Sequence, residues 1–163
     1  MIPLRIAVTN RKQLQHKVWL LFLILLFAVW WGGLTFYAAV VVPIGTDITS
    51  SVEQGFVTQR VTFWHNILLT LLTFFVFVEA LFRQSLRWWL LFASMLFVNG
   101  GLLLMHWKLS DMIDVAEASV PSDFYRIHAL YLWLTTAEWL VGLIGVIFCV
   151  HETTVRQFEN SSV

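Results

Sequence analysis

Residues 18–43 read VWLLFLILLFAVWWGGLTFYAAVVVP, and no formal charge interrupts the chain between Lys17 and Asp47. A helix needs about 20 apolar residues to cross the hydrocarbon core of a bilayer, so this stretch predicts a membrane span over 18–43. A cleaved signal peptide is the competing reading, but its apolar region runs to only about 7–15 residues and ends at a small-residue cleavage site. The stretch here is longer and offers no convincing site of that kind, so the first helix is expected to be retained.

Working outward, three further apolar stretches follow, over 62–82, 88–107 and 128–150. Arg60 and Arg83 bound the first of them, Arg87 and Lys108 the second. Glu138 alone interrupts the last, and one carboxyl lowers the insertion preference of its neighbours without cancelling it. The expected fold class is therefore all-α: a four-helix antiparallel transmembrane bundle, with residues 1–163 forming a single integral membrane domain. Composition points the same way. The 163 residues are 59% hydrophobic and 12% charged, where soluble domains are about half apolar and about a quarter charged. The ten basic and ten acidic residues cancel, leaving no bulk field to attract nucleic acid. Cys149 has no second cysteine to pair with and reads as a buried, inert thiol in an apolar run.

Lys and Arg near the spans set the expected orientation. Arg5, Arg11, Lys12 and Lys17 precede the first span, Arg83 and Arg87 flank the turn between the second and third, and Arg156 follows the fourth. Arg60, Lys108 and Arg126 are the basic residues of the other two loops, which also hold Asp47, Glu53, Asp111, Asp114, Glu117 and Asp123. The expected localisation is the bacterial inner (plasma) membrane, multi-pass, with both termini cytoplasmic and the acidic loops outside. Trp19, Trp64, Trp88, Trp89 and Trp107 suit interfacial anchoring. Gln84 to Leu86 is too short for anything but a helical hairpin. In the last outer loop Leu109, Met112, Ile113 and Ala116 share one helical face, with Asp111 and Asp114 opposite and Glu117 at the border. A short interfacial helix is expected there, ended by Pro121, with Ser122 capping the fourth span.

In hydrocarbon, polar side chains turn toward other helices, so their spacing marks the buried faces. His128, Tyr131, Thr135, Glu138, Gly142 and Gly145 fall on one stripe of the fourth helix. Thr62, His65, Asn66 and Thr73 share a face of the second, Met95, Asn99, Leu102 and His106 of the third, and Trp30, Gly33 and Tyr37 of the first. The candidate cofactor-binding residues are His65, His106 and His128, all in the outer half of their spans, with Tyr37, Asn66, Asn99 and Glu138 completing a polar core. A small polar cavity open to the outside is the sharp expectation. The plainer one is that helix-end histidines serve as interfacial hydrogen-bonding groups and Glu138 as a neutral, hydrogen-bonded acid. Glu79, one turn before Arg83, reads as a structural ion pair. There is no H-E-x-x-H, C-x-x-C, phosphate-binding glycine loop or nucleophile elbow.

Two stretches, Trp31 to Pro43 (WGGLTFYAAVVVP) and Phe124-Tyr125-Arg126-Ile127-His128, resemble a family of small four-helix bacterial membrane proteins of unknown function. That family is in turn distantly similar to the membrane domain of copper-resistance protein D. With the four-span layout the resemblance covers most of the chain. It implies a multi-pass inner-membrane bundle and transfers no established active site. The copper connection would favour Met and His ligands, yet only Met105 and Met112 fall near the outer histidines.

The function expected from these residues is non-enzymatic: small-ligand binding, or an accessory or assembly role beside other membrane subunits or a second copy. The alternative is a redox protein carrying haem b or a metal ion on His65 and one of His106 or His128. A proton-coupled, transporter-like role for Glu138 stands third.

Overall fold

The structure, a computed structural model, describes residues 3–113 and 119–161, and it is helical almost throughout. α1 (Pro3–Phe36) runs through one π-helical turn (Tyr37–Val41) into α2 (Val42–Ile48); α3 (Ser51–Arg83), α4 (Leu86–Asp111) and α5 (Phe124–Ser161) follow. Four stretches, Leu14–Ile48, Glu53–Arg83, Leu86–Asp111 and Phe124–Glu152, are long and apolar enough to cross a membrane.

The helices overrun the apolar runs that announce them. Pro43, expected as the end of the first span, sits inside helix instead. Proline has no N–H to give and its ring crowds the carbonyl four residues back. The preceding turn widens to accommodate it, and the Val42 N–H reaches the Tyr37 carbonyl, five residues away. After Thr49, α3 starts at Ser51 rather than near residue 62. Ser50 Oγ accepts from the Glu53 N–H (3.2 Å) while Glu53 Oε2 accepts from the Ser50 N–H (3.0 Å), so two orphan donors of the helix start are satisfied reciprocally. At the other end of α3, Gln84 adopts a left-handed conformation (φ 50°) and returns its N–H to the Ala80 carbonyl. That closes the turn into α4 as the short connection required.

In the last long loop, Leu109 and Asp111 belong to the final turns of α4, and Met112 and Ile113 follow it. Asp114, Ala116 and Glu117, the rest of the expected interfacial helix, lie outside the described residues. Ser122 does not cap α5. The helix opens at Phe124, whose N–H reaches the Pro121 carbonyl, and the Ile127 N–H reaches that of Asp123.

Buried residues of α1 recur as Leu20, Leu23, Phe27, Trp30 and Leu34, and those of α4 as Trp88, Leu91, Met95, Val98 and Leu102. Alternating steps of three and four give each helix one continuous apolar seam. One core joins these seams to Leu69, Leu72, Val76 and Ala80 of α3 and to Tyr131 and Cys149 of α5. α3 packs on α4, α4 on α5, and α1 on both α5 and α3. The closest approach of α1 to α5 depends on two glycines. A Cβ on Gly142 would overlap the Trp30 ring, and one on Gly145 would lie 2.5 Å from Phe27 Cζ. Beside them Trp31 and Trp139 pack ring on ring at 4.8 Å, and the Trp139 Nε1–H donates to Thr35 Oγ1 at 2.9 Å.

Candidate functional site

Between α2, α3, α4 and the start of α5, at the end of the molecule that carries Ser50, lies a cavity of about 380 Å³. Its polar wall comes from Gln54, Thr58, Gln59 and Thr62 of α3, His106 and Ser110 of α4, and His128 and Tyr131 of α5. Apolar and aromatic groups, among them Val42, Phe56, Leu109 and Phe124, supply the rest. Helix direction explains this: the polar faces of three helices meet here, and α3 begins eleven residues before its apolar run, extending the wall with Gln54 and Thr58.

Of the three expected histidines, His106 and His128 line this cavity and His65 does not. His106 Nδ1 lies 3.4 Å from the Thr62 hydroxyl. The His128 ring stacks on Phe124 at 5.7 Å, nearly parallel. His65 lies deeper, its ring stacked on Trp30 of α1 at 5.6 Å, with Nε2 buried and without a hydrogen-bond partner among the described residues. Among the described residues no three His, Cys, Asp or Glu side chains come together as metal ligands.

The other polar residues take separate places. Tyr37 is a clamp: its hydroxyl donates to Thr58 Oγ1 (2.9 Å) and accepts from Gln54 Nε2 (3.5 Å), binding the π-helical turn to α3. Gly45 of α2 packs directly on the Gln54 amide, which a Cβ at that position would displace. Asn99 is paired, its Nδ2 donating to Thr70 Oγ1 at 3.1 Å. Glu138, on the buried stripe of α5, is 4% exposed. Its carboxyl lies against the Trp30 indole without completing a hydrogen bond.

Glu138 Oε1, Trp30 Nε1, His65 Nε2 and Asn66 Nδ2 are the four buried side-chain polar atoms without a partner among the described residues. Trp30 lies against both His65 and the Glu138 carboxyl. Leaving a buried polar group unpaired costs about 1–3 kcal/mol, so each of these four atoms calls for an explanation.

At the opposite end, sequence reasoning found the Glu79–Arg83 pair but missed its extent. Arg83 Nε donates to Glu79 Oε1 (2.7 Å), Nη1 to Glu152 Oε2 (2.8 Å) and Nη2 to His16 Nε2 (2.8 Å). The Trp19 indole N–H donates to Glu79 Oε2 (2.7 Å). A guanidinium only donates, so His16 accepts through Nε2 and carries its proton on Nδ1. α1, α3 and α5 are thereby tied by one fork. The charge pattern along α3 gave only the i, i+4 pair; the partners lie 67 and 69 residues away in sequence.

No family model, no curated protein and no solved structure matches this chain.

Proposed function

We propose that the protein is a four-helix antiparallel bundle of the bacterial inner membrane that binds a small uncharged ligand in the cavity at its Ser50 end, facing out of the cell. Both termini and the Gln84 turn face the cytoplasm, because seven of the ten basic residues belong to that side, as enumerated above. The observation that carries the ligand reading is the chemistry of the cavity wall. Among the described residues none of its lining side chains is Asp, Glu, Lys or Arg, while hydroxyl, amide and imidazole groups converge on it. A charged guest would have no counter-charge there and would lose its hydration for nothing. A neutral molecule with an apolar body and a few donors or acceptors matches the wall, and about 380 Å³ falls within the roughly 300–1,000 Å³ of ordinary ligand sites.

Gly55 lines the cavity and a Cβ there meets nothing within 4 Å, so a side chain can start there without a clash, and Gly55→Trp is expected to occlude the cavity. The test is a thermal-shift screen of the protein in mild detergent against uncharged and charged amphiphiles. Uncharged compounds should stabilise the wild type and leave Gly55→Trp unmoved. Equal shifts in both proteins, or stabilisation by charged compounds alone, would defeat the proposal. A haem absorption band in the same preparation would replace it with the redox reading.

A further inference from the structure

A serine or threonine hydroxyl has one proton to give, and in a helix it can go to the carbonyl one turn back. Four hydroxyls on the cavity wall do this. Thr46 donates to the Val42 carbonyl (2.8 Å), Thr58 to that of Gln54 (2.9 Å), Thr62 to that of Thr58 (2.8 Å) and Ser110 to that of His106 (2.8 Å). Toward a guest such oxygens only accept. Thr58 has that capacity engaged too, by the Tyr37 hydroxyl at 2.9 Å. The same accounting sets the state of His106. With the Thr62 proton on a carbonyl, the imidazole nitrogen 3.4 Å from Thr62 Oγ1 can meet that oxygen only as a donor, so His106 carries its proton on Nδ1. No carboxylate among the described lining residues stands by to hold an imidazolium, and the neutral ring leaves Nε2 as a bare acceptor. Nε2 has no hydrogen-bond partner among the described residues and is not one of the four buried orphan atoms, so it remains reachable.

We infer that the ligand of this cavity is a neutral molecule bearing a hydroxyl group, an alcohol or a phenol, which donates its proton to His106 Nε2. The inference rests on the ligand reading above and names the chemistry that the site selects. Thr46 Oγ1, Ser110 Oγ and His106 Nε2 can only receive a hydrogen bond, whereas Gln59, His128 and Tyr131, also on the wall, can give one. A hydroxyl answers both sets at once. An ether or ketone oxygen answers only the second and leaves Nε2 stripped of water and unpaired, a loss that weakens binding about tenfold or more. Phe56, Leu109 and Phe124 receive the apolar body of the guest. Thr62 is a positioning residue: by accepting from Nδ1–H it holds the ring in the tautomer that presents the acceptor.

The test titrates the full chain in mild detergent with para-butylphenol and with its methyl ether, each concentration expressed as a mole fraction of the micelle so that partitioning cancels. The wild type should bind the phenol at least about tenfold more tightly than the ether, and Gly55→Trp should bind neither. Thr62→Val, which cannot accept from Nδ1–H, should reduce the preference to within about twofold. Thr73→Val should keep it, because the Thr73 hydroxyl only returns to its own helix at Leu69. NMR of the imidazole nitrogens in the wild type, which needs no variant to fold, should find the His106 proton on Nδ1 and an Nε2 signal that moves with the phenol and not with the ether. Equal affinities for phenol and ether, both lost in Gly55→Trp, would overturn the hydroxyl inference and leave the ligand site standing. A His106 proton on Nε2 would overturn the inference in the same way. Binding of neither compound to the wild type, or of both to Gly55→Trp as strongly as to the wild type, would overturn the ligand reading and this inference with it.

Discussion

Replacing Gly142 by alanine adds one methyl group at the point where α5 meets α1, and the structure says where that methyl goes. Its Cβ would overlap the Trp30 six-membered ring, lying 2.8 Å from Cη2. The ring has no slack, since Trp30 is fully buried, stacked on His65 and pressed toward Glu138. Overpacking of this kind costs about 1–3 kcal/mol. Alanine also improves on glycine in a helix by about 1 kcal/mol, which would blur a single measurement. Gly100→Ala on α4 removes that ambiguity, because nothing lies within 4 Å of a Cβ at Gly100. The propensity gain is common to both variants, so the difference between them isolates the steric cost at about 1–3 kcal/mol. Reversible unfolding of the detergent-solubilised protein by a denaturing detergent measures it. Gly142→Ala should unfold at a lower denaturant fraction than Gly100→Ala, and Gly142→Leu lower again. If the two alanine variants unfold together, the glycine stripe is not where α1 and α5 meet.

Three further outcomes are expected. Arg83→Met leaves Glu79, 1% exposed, as a buried carboxylate without its cation, and should cost about 3–5 kcal/mol; Glu152→Gln, at the more exposed partner, should cost far less in the same assay. Ser50→Ala removes a cap worth about 1 kcal/mol and should show as faster amide exchange confined to the first turns of α3. Cysteines introduced at Ser85 and Ser162 should resist membrane-impermeant labelling of intact cells; labelling of either would reverse the orientation.

The four long helices were legible because apolar runs beyond 20 residues have few alternatives, yet their ends were not. Hydropathy stops at Arg60, whereas the start of α3 is written in hydrogen-bonding residues: Ser50 and Glu53 form the S-x-x-E signature of a capping box, a local signal that a search for apolar runs passes over. Pro43 is a terminator by local rules, but one widened turn relieves its clash, and sequence does not reveal that relief. The buried stripe of α5 emerged from spacing because polar groups and glycines recur on one face. Helix rotation decided the rest. It set His65 on Trp30 instead of on the cavity wall beside His106 and His128, and left Gly33 exposed while Gly142 received the ring. Contacts between residues far apart in sequence, such as Trp30 with Glu138 and Arg83 with His16, carry no signature in a single chain.

Native mass spectrometry of the protein released directly from its membrane tests the central claim most directly. Wild type should fly with a reproducible added mass of one small uncharged molecule, and Gly55→Trp, folded and equally abundant, should fly without it. Bare wild-type protein, or the same adduct on both, would contradict a ligand site in the cavity walled by Gln54, Thr62, His106 and His128.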